Sequence, residues 1–111
     1  MSDEPGVYIV DTVEVEPADA DEYVRTVHSI GVPMMRQAGA RFVSCWATSP
    51  DLGEPVSVKT VWACRDHVEW NVIRRNLVLD PAWYGFAARI ASMWIGGARR
   101  FYYPAGAPAD A

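Results

Sequence analysis

The sequence has no apolar run approaching the roughly 18 residues a membrane helix needs, and no basic segment leading into an apolar one at its start. The expectation is a cytoplasmic protein with no membrane partner. Positive charge is also scarce. Ten Lys and Arg stand against 14 Asp and Glu, for a net charge of −4, and the basic residues are scattered. Nucleic-acid binding draws on a concentrated basic footprint, so no nucleic-acid partner is expected.

Cysteine and histidine are equally sparse, with two of each, at positions 45, 64, 28 and 67. Their spacing is not that of a zinc site, and no metal is assigned. Without an export signal, Cys45 and Cys64 are expected to be reduced, buried thiols behaving as small hydrophobes. No glycine-rich loop follows a strand; "GGARR" precedes one instead. There is no nucleophile elbow and no plausible serine triad, and nothing supplies a base for covalent chemistry at Cys45. No cofactor is called for.

What the chain does have is apolar and aromatic mass. Half of its 111 residues are hydrophobic, enough for one domain with a core, and five are tryptophan. Residues 1–6 read as a flexible lead-in. "VYIVDTVEVE" then alternates as a strand, with Val7, Ile9, Asp11, Val13 and Val15 on one face. "PADADEY" stops that strand and starts a helix, with Asp19 as cap and Glu22 three residues on; the helix runs to Gly39. "RFVSCWATS" and "VSVKTVWAC" form a hairpin around "PDLGEP". "RDHVEWNVIRRNLVL" is a second helix with Val68, Val72, Ile73 and Leu77 towards the core. Asp80-Pro81 opens a third, continuing through "AWYGFAARIASMW". "GGARRFYYP" gives a last strand after its two glycines, and 105–111 read as a disordered tail.

The order strand, helix, strand, strand, broken helix, strand predicts an α+β fold: a ferredoxin-like β-α-β-β-α-β antiparallel sheet with its helices on one face. Apolar residues on the bare sheet face predict a second copy over it, and hence a homodimer.

Four stretches carry a resemblance: "VYIVDTVEVEP", the helix with "GVPMMRQAG", "CWATS", and "LVLDPAWYGF" before a last short strand. Together they resemble the NIPSNAP family of dimeric α/β-barrel proteins, over about residues 7–103. The domain is therefore set at 7–104. The resemblance implies a homodimer whose two sheets form a barrel, with a small-molecule pocket between sheet and helices. It names no single activity; the wider superfamily includes cofactor-independent oxygenases, isomerases, cyclases, dehydratases and haem-binding members. It also implies a basic residue at position 11, where this chain has Asp.

Three features carry candidate chemistry. Pro33 leaves the Ser29 carbonyl without its helical partner, so a kink is expected near residues 29–31, eased by Gly31. His28 precedes that kink on the stripe Val24, His28, Gly31, Met35 and is read as facing the sheet, an acid/base beside a cavity. Its structural alternative is a satisfied core histidine. Asp11 interrupts an apolar stripe, as a second acid/base or in an ion pair with Lys59, Arg99 or Arg100. Aromatic residues shape the pocket, with Tyr8, Met35, Trp46, Trp62, Trp83 and Tyr102 as candidate substrate contacts. His67 is read as exposed in a first helical turn, and haem on either histidine needs an apolar cleft around it.

The leading expectation is a cofactor-independent enzyme of isomerase, cyclase or dehydratase type, moving a proton on a hydrophobic substrate. The alternatives are a non-catalytic ligand-binding or interaction module, and a cofactor-independent monooxygenase or haem-binding protein.

Overall fold

The structure, a computed structural model, describes residues 4–106. Residues 1–3 of the expected flexible lead-in and 107–111 of the expected disordered tail lie outside the described residues. Gly6, at the end of the lead-in, donates its N–H to the Cys64 and Arg65 carbonyls, each at 3.1 Å.

Four strands form one antiparallel sheet: β1 (Val7–Val15), β2 (Arg41–Ala47), β3 (Val56–Cys64) and β4 (Trp94–Tyr102). Their order across the sheet is β2-β3-β1-β4, the ferredoxin-like arrangement expected. All the helices lie on one face: α1 (Ala20–Thr26), α2 (Val32–Ala38), α3 (His67–Val78) and α4 (Pro81–Ala91). Alternation along β1 decides which side is which. Val7, Ile9, Val13 and Val15 are buried under the helices, whereas Tyr8, Val10 and Thr12 face the open side and are only half-buried. Register then carries the rest. Asp11 stands opposite Thr60 on β3 and Arg99 on β4, so all three share the helix-covered face.

Pro33 has the expected effect in a particular form. Between α1 and α2 the chain takes one π-helical turn over Val27–Gly31, closed by the Val32 N–H on the Val27 carbonyl. An i→i+5 turn re-satisfies backbone near a proline that cannot donate, at the cost of one residue of phase. α2 ends at Gly39, whose φ of +116° requires glycine or a strained substitute.

Some sequence-based expectations need correction. Asp19 makes no side-chain cap; it ends a 3₁₀ turn over Pro17–Asp19 that leads into α1. Asp66 and Asp80 do cap, accepting from the Glu69 N–H at 2.8 Å and the Ala82 N–H at 2.9 Å. On α3 the buried stripe is Trp70, Ile73 and Leu77, with Val68 (71% exposed) and Val72 turned outward. Trp70 reaches β4, its ring edge-on to Phe101 at 5.8 Å between centroids. α4 stops at Ala91 and β4 already starts at Trp94, so both glycines lie inside the strand. A bulge there sets Val15 against Trp94 and Glu14 against Gly96, leaving Ile95 as the extra residue.

The cysteines lie on neighbouring strands without facing each other. Cys45 is paired in register with Thr60, and Cys64 lies beyond the Arg41–Ala63 pair. Both are free thiols, and burial pushes each above the usual thiol range. Among the described residues, no helix is long and apolar enough to cross a membrane, and no three His, Cys, Asp or Glu side chains are grouped to hold a metal.

Candidate functional site

The break in β1's apolar stripe becomes the floor of a cleft. Asp11 meets Arg99 across the β1–β4 pair in a two-point fork, Nε to Oδ1 at 2.6 Å and Nη2 to Oδ2 at 2.9 Å. Trp62 on β3 adds its indole N–H to Oδ2 at 3.3 Å. From above, Trp70 of α3 lies against the guanidinium, whose carbon is 5.2 Å from the ring centroid. Arg99 is thus held by a carboxylate on one side and an aromatic face on another. Burial pulls its pKa down, but the hydrogen bond and charge of Asp11 outweigh this and hold it above its ordinary value. The pair remains wet enough to be reached: the Asp11 side chain is 20% exposed and that of Arg99 42%.

Tyr23 closes the other side. α1 carries it into the core, and burial, helped by the Asp11 charge, pushes its pKa up to about 12 against an opposing hydrogen bond with Trp94. It is a neutral phenol at physiological pH, able to donate a proton or a hydrogen bond.

Around this floor opens a cleft of about 370 Å³ between the sheet and α4, with walls from Val13, Trp83, Ala87, Ile90 and Trp94. Gly97 and Ala98 of the edge strand β4 line its mouth. A narrow inner extension of about 50 Å³ shares Asp11, Tyr23, Trp83, Ile90 and Arg99 and adds Met35, Thr60, Trp62 and Phe86. Among the described residues, Asp11 and Arg99 are the only formally charged ones lining either part. Above it, Arg89 of α4 approaches Glu22 of α1 at 3.8 Å.

A roomier groove of about 550 Å³ lies between α2, α3 and the start of α4. Two of its polar residues already serve the fold. Asn76 donates to the Ala38 carbonyl at 2.9 Å, and Asp80 caps α4. It also lacks aromatic walls.

The candidate residues from the sequence separate into two groups. Asp11, Met35, Trp62 and Trp83 meet in the cleft. Tyr8, Trp46 and Tyr102 do not: they stand on the opposite, open face of the sheet, Tyr8 against Tyr102 in register and Trp46 against Lys59. Trp46 is 66% exposed there. His28 is also misplaced by the sequence reading. It is exposed, with its ring edge-on to Phe42 at 5.6 Å between centroids, and it does not line the cleft. The π turn is the cause. Stepping back from Met35 and Gly31 at α-helical spacing lands on His28 and Val24, but one extra residue in the turn moves the buried stripe to Val27 and Tyr23.

Tyr23 is the polar site residue the sequence reading missed. Its signal was present as the i, i+4 pair with Val27, once the proline-induced turn is allowed a residue of its own. His67 is exposed as expected, touching the hydroxyl of Tyr103 and the rings of Tyr103 and Phe101. Neither histidine lines the cleft, so neither would hold a haem there.

No protein-family model matches the sequence, and no curated protein matches it. Solved structures do. A NIPSNAP domain protein from Burkholderia xenovorans is 26% identical, with 89% of this chain and 94% of that one covered and a TM-score of 0.76. A NIPSNAP family protein of unknown function from Agrobacterium tumefaciens is 18% identical, covering 91% and 89%, with a TM-score of 0.77. A monooxygenase from Streptomyces coelicolor, solved in complex with the ligand Nanaomycin D, is 20% identical over 93% and 90%, with a TM-score of 0.65. The resemblance to NIPSNAP family proteins thus holds over about nine-tenths of the chain, and the fold is the one these proteins share.

Proposed function

We propose that this chain is a homodimeric enzyme that moves a proton on a hydrophobic small molecule held between its sheet and helices, in an isomerisation, cyclisation or dehydration using protein groups alone. One observation carries the reading: an acceptor and a donor, Asp11 and Tyr23, share the floor of an apolar cleft large enough for a small ligand. A carboxylate offers about four lone-pair positions, and the fork from Arg99 with the Trp62 N–H takes three. The fourth is free to accept a proton from carbon. Tyr23 and the remaining N–H groups of Arg99 then stabilise the oxyanion that develops, in surroundings where such dipoles act strongly. Returning the proton at a neighbouring atom completes an isomerisation. His28, the acid/base expected from the sequence, has no part in this scheme.

The test is hydrogen exchange. Enolisable hydrophobic ketones incubated with the protein in heavy water are expected to take up deuterium beside the carbonyl. The rate is expected to fall about a hundredfold or more in Tyr23→Phe or Asp11→Asn. Exchange no faster than in buffer, for every ketone that binds, sinks the enzyme reading and leaves a binding module.

Oxygenation of an electron-rich substrate is the second reading, favoured by the aromatic walls Trp62, Trp83 and Trp94 around the same floor. The monooxygenase from Streptomyces coelicolor shares this fold. Oxygen consumption that depends on substrate and on protein separates the two.

A further inference from the structure

The charge balance of the cleft goes beyond that reading and selects among ligands. Among the described residues, Arg99 is the one cation lining it and Asp11 the one anion, and they are joined by two hydrogen bonds. Neither charge is left to attract a counter-ion. An anionic ligand entering the cleft would meet Asp11 beside Arg99, and a cationic ligand would meet the reverse. Each would also give up its own hydration among Val13, Trp83, Ala87, Ile90 and Trp94. Desolvating an ion without a free partner is far costlier than desolvating a hydroxyl or carbonyl. Hydrogen bonds to a neutral oxygen remain on offer: the Tyr23 hydroxyl, the unused N–H groups of Arg99, and one acceptor position on Asp11.

Shape adds a second constraint. On β4 the position opposite Val13 is Gly97, which has no side chain, and it lines the cleft mouth. A Cβ there would meet only ordinary contacts, 3.4 Å from the Thr12 carbonyl oxygen and 3.5 Å from Val13 Cγ2. The backbone tolerates a side chain at 97, so the missing one keeps the entrance open.

We infer that the cleft selects uncharged aromatic molecules bearing a hydroxyl or carbonyl, admitted over Gly97, and that Asp11 sets this preference by cancelling the charge of Arg99. The inference rests on the cleft being the small-molecule site. It places Asp11 in a second role, as the residue that decides ligand charge.

Three probes of one shape test it: 1-naphthol, 1-naphthoate and 1-naphthylmethylammonium, titrated against the fluorescence of the cleft tryptophans. The wild-type protein is expected to bind 1-naphthol at least tenfold more tightly than either ion. Gly97→Val is expected to weaken 1-naphthol binding at least tenfold with the fold intact. Asp11→Asn leaves Arg99 uncompensated and is expected to raise the affinity for naphthoate relative to naphthol at least tenfold. If that variant does not fold, the wild-type ranking and Gly97→Val decide. Wild-type preference for naphthoate or for the ammonium overturns the inference while leaving the cleft a binding site. Binding of none of the three probes, or binding indifferent to Gly97→Val, overturns the cleft as the site as well.

Discussion

Gly31 in the π turn lies under the ring of Phe86 on α4, so close that a methyl group at 31 would meet Cζ at 2.9 Å and Cε1 at 3.3 Å. In an ordinary exposed helix, alanine in place of glycine stabilises by up to about 1 kcal/mol. Here it must push an aromatic ring that also lines the inner part of the cleft. Gly31→Ala is expected to destabilise the fold by about 1–3 kcal/mol, as overpacking does. Urea unfolding measures it, with the midpoint lowered at unchanged slope.

That contact also shows where the sequence was legible and where it was not. The proline, the glycine and the need for a break were all visible, since Pro33 removes a specific donor whatever the tertiary context. The form of the break was not. A kinked α-helix keeps its phase and a π turn shifts it by a residue, and in the fold that turn packs against Phe86, which lies 55 positions further along the chain and is not visible in the local pattern. Every error about His28 and Tyr23 descends from that one residue of phase. On the strands, by contrast, strict alternation put Asp11 on the covered face, and register delivered Arg99, already a named alternative partner. Tyr8, Trp46 and Tyr102 failed for a different reason. Aromatic content says that a residue wants burial; it does not say whether helices or another copy provides it.

The phenol of Tyr23 gives an alkaline signature. Its pKa rises from the ordinary 10.0 to about 12 on folding, foremost because burial disfavours the phenolate. A raised value means the stabilisation is fully present below about 10 and is lost as pH climbs towards about 12, because the unfolded chain ionises first. Wild-type stability is therefore expected to fall more steeply than that of Tyr23→Phe across this window. Unfolding free energies on either side of it, together with phenolate absorbance of the folded proteins, check this. Parallel slopes for the two proteins would contradict the buried position.

At the start of α3 the sign is reversed. The Glu69 backbone N–H, donating to the Asp66 carboxylate at 2.8 Å, is the main cause holding that carboxyl below the usual range, with the Arg65 charge assisting. The depressed group contributes its stability above the unfolded carboxylate pKa and loses it as pH falls through the lowered folded value. Asp66→Asn keeps an oxygen to cap the helix but removes this titration. The difference in stability between wild type and variant is expected to shrink on acidification below about pH 4. Thermal melts across that range measure it.

The open face of the sheet supplies the last prediction. Tyr8, Val10 and Val61 lie there half-buried, Trp46 and Tyr102 are exposed around them, and the Ser44 hydroxyl has no hydrogen-bond partner although it is buried. An apolar patch of this kind on a small domain calls for a cover, and the proposed homodimer, laid sheet to sheet, would provide one. Val10 sits on a central strand in the middle of that face, with Val61 on one side and Arg100 on the other. A glutamate at 10 has Arg100 beside it in the monomer, so the isolated fold tolerates it. In a dimer the same carboxylate would be desolvated against the partner's sheet. Val10→Glu is expected to weaken association by about 2 kcal/mol or more, roughly thirtyfold in the dissociation constant. Sedimentation equilibrium should show a wild-type dimer and a variant shifted towards monomer, with the same circular dichroism for both. A variant that stays as dimeric as the wild type would mean that the two copies meet elsewhere and that this face has another partner.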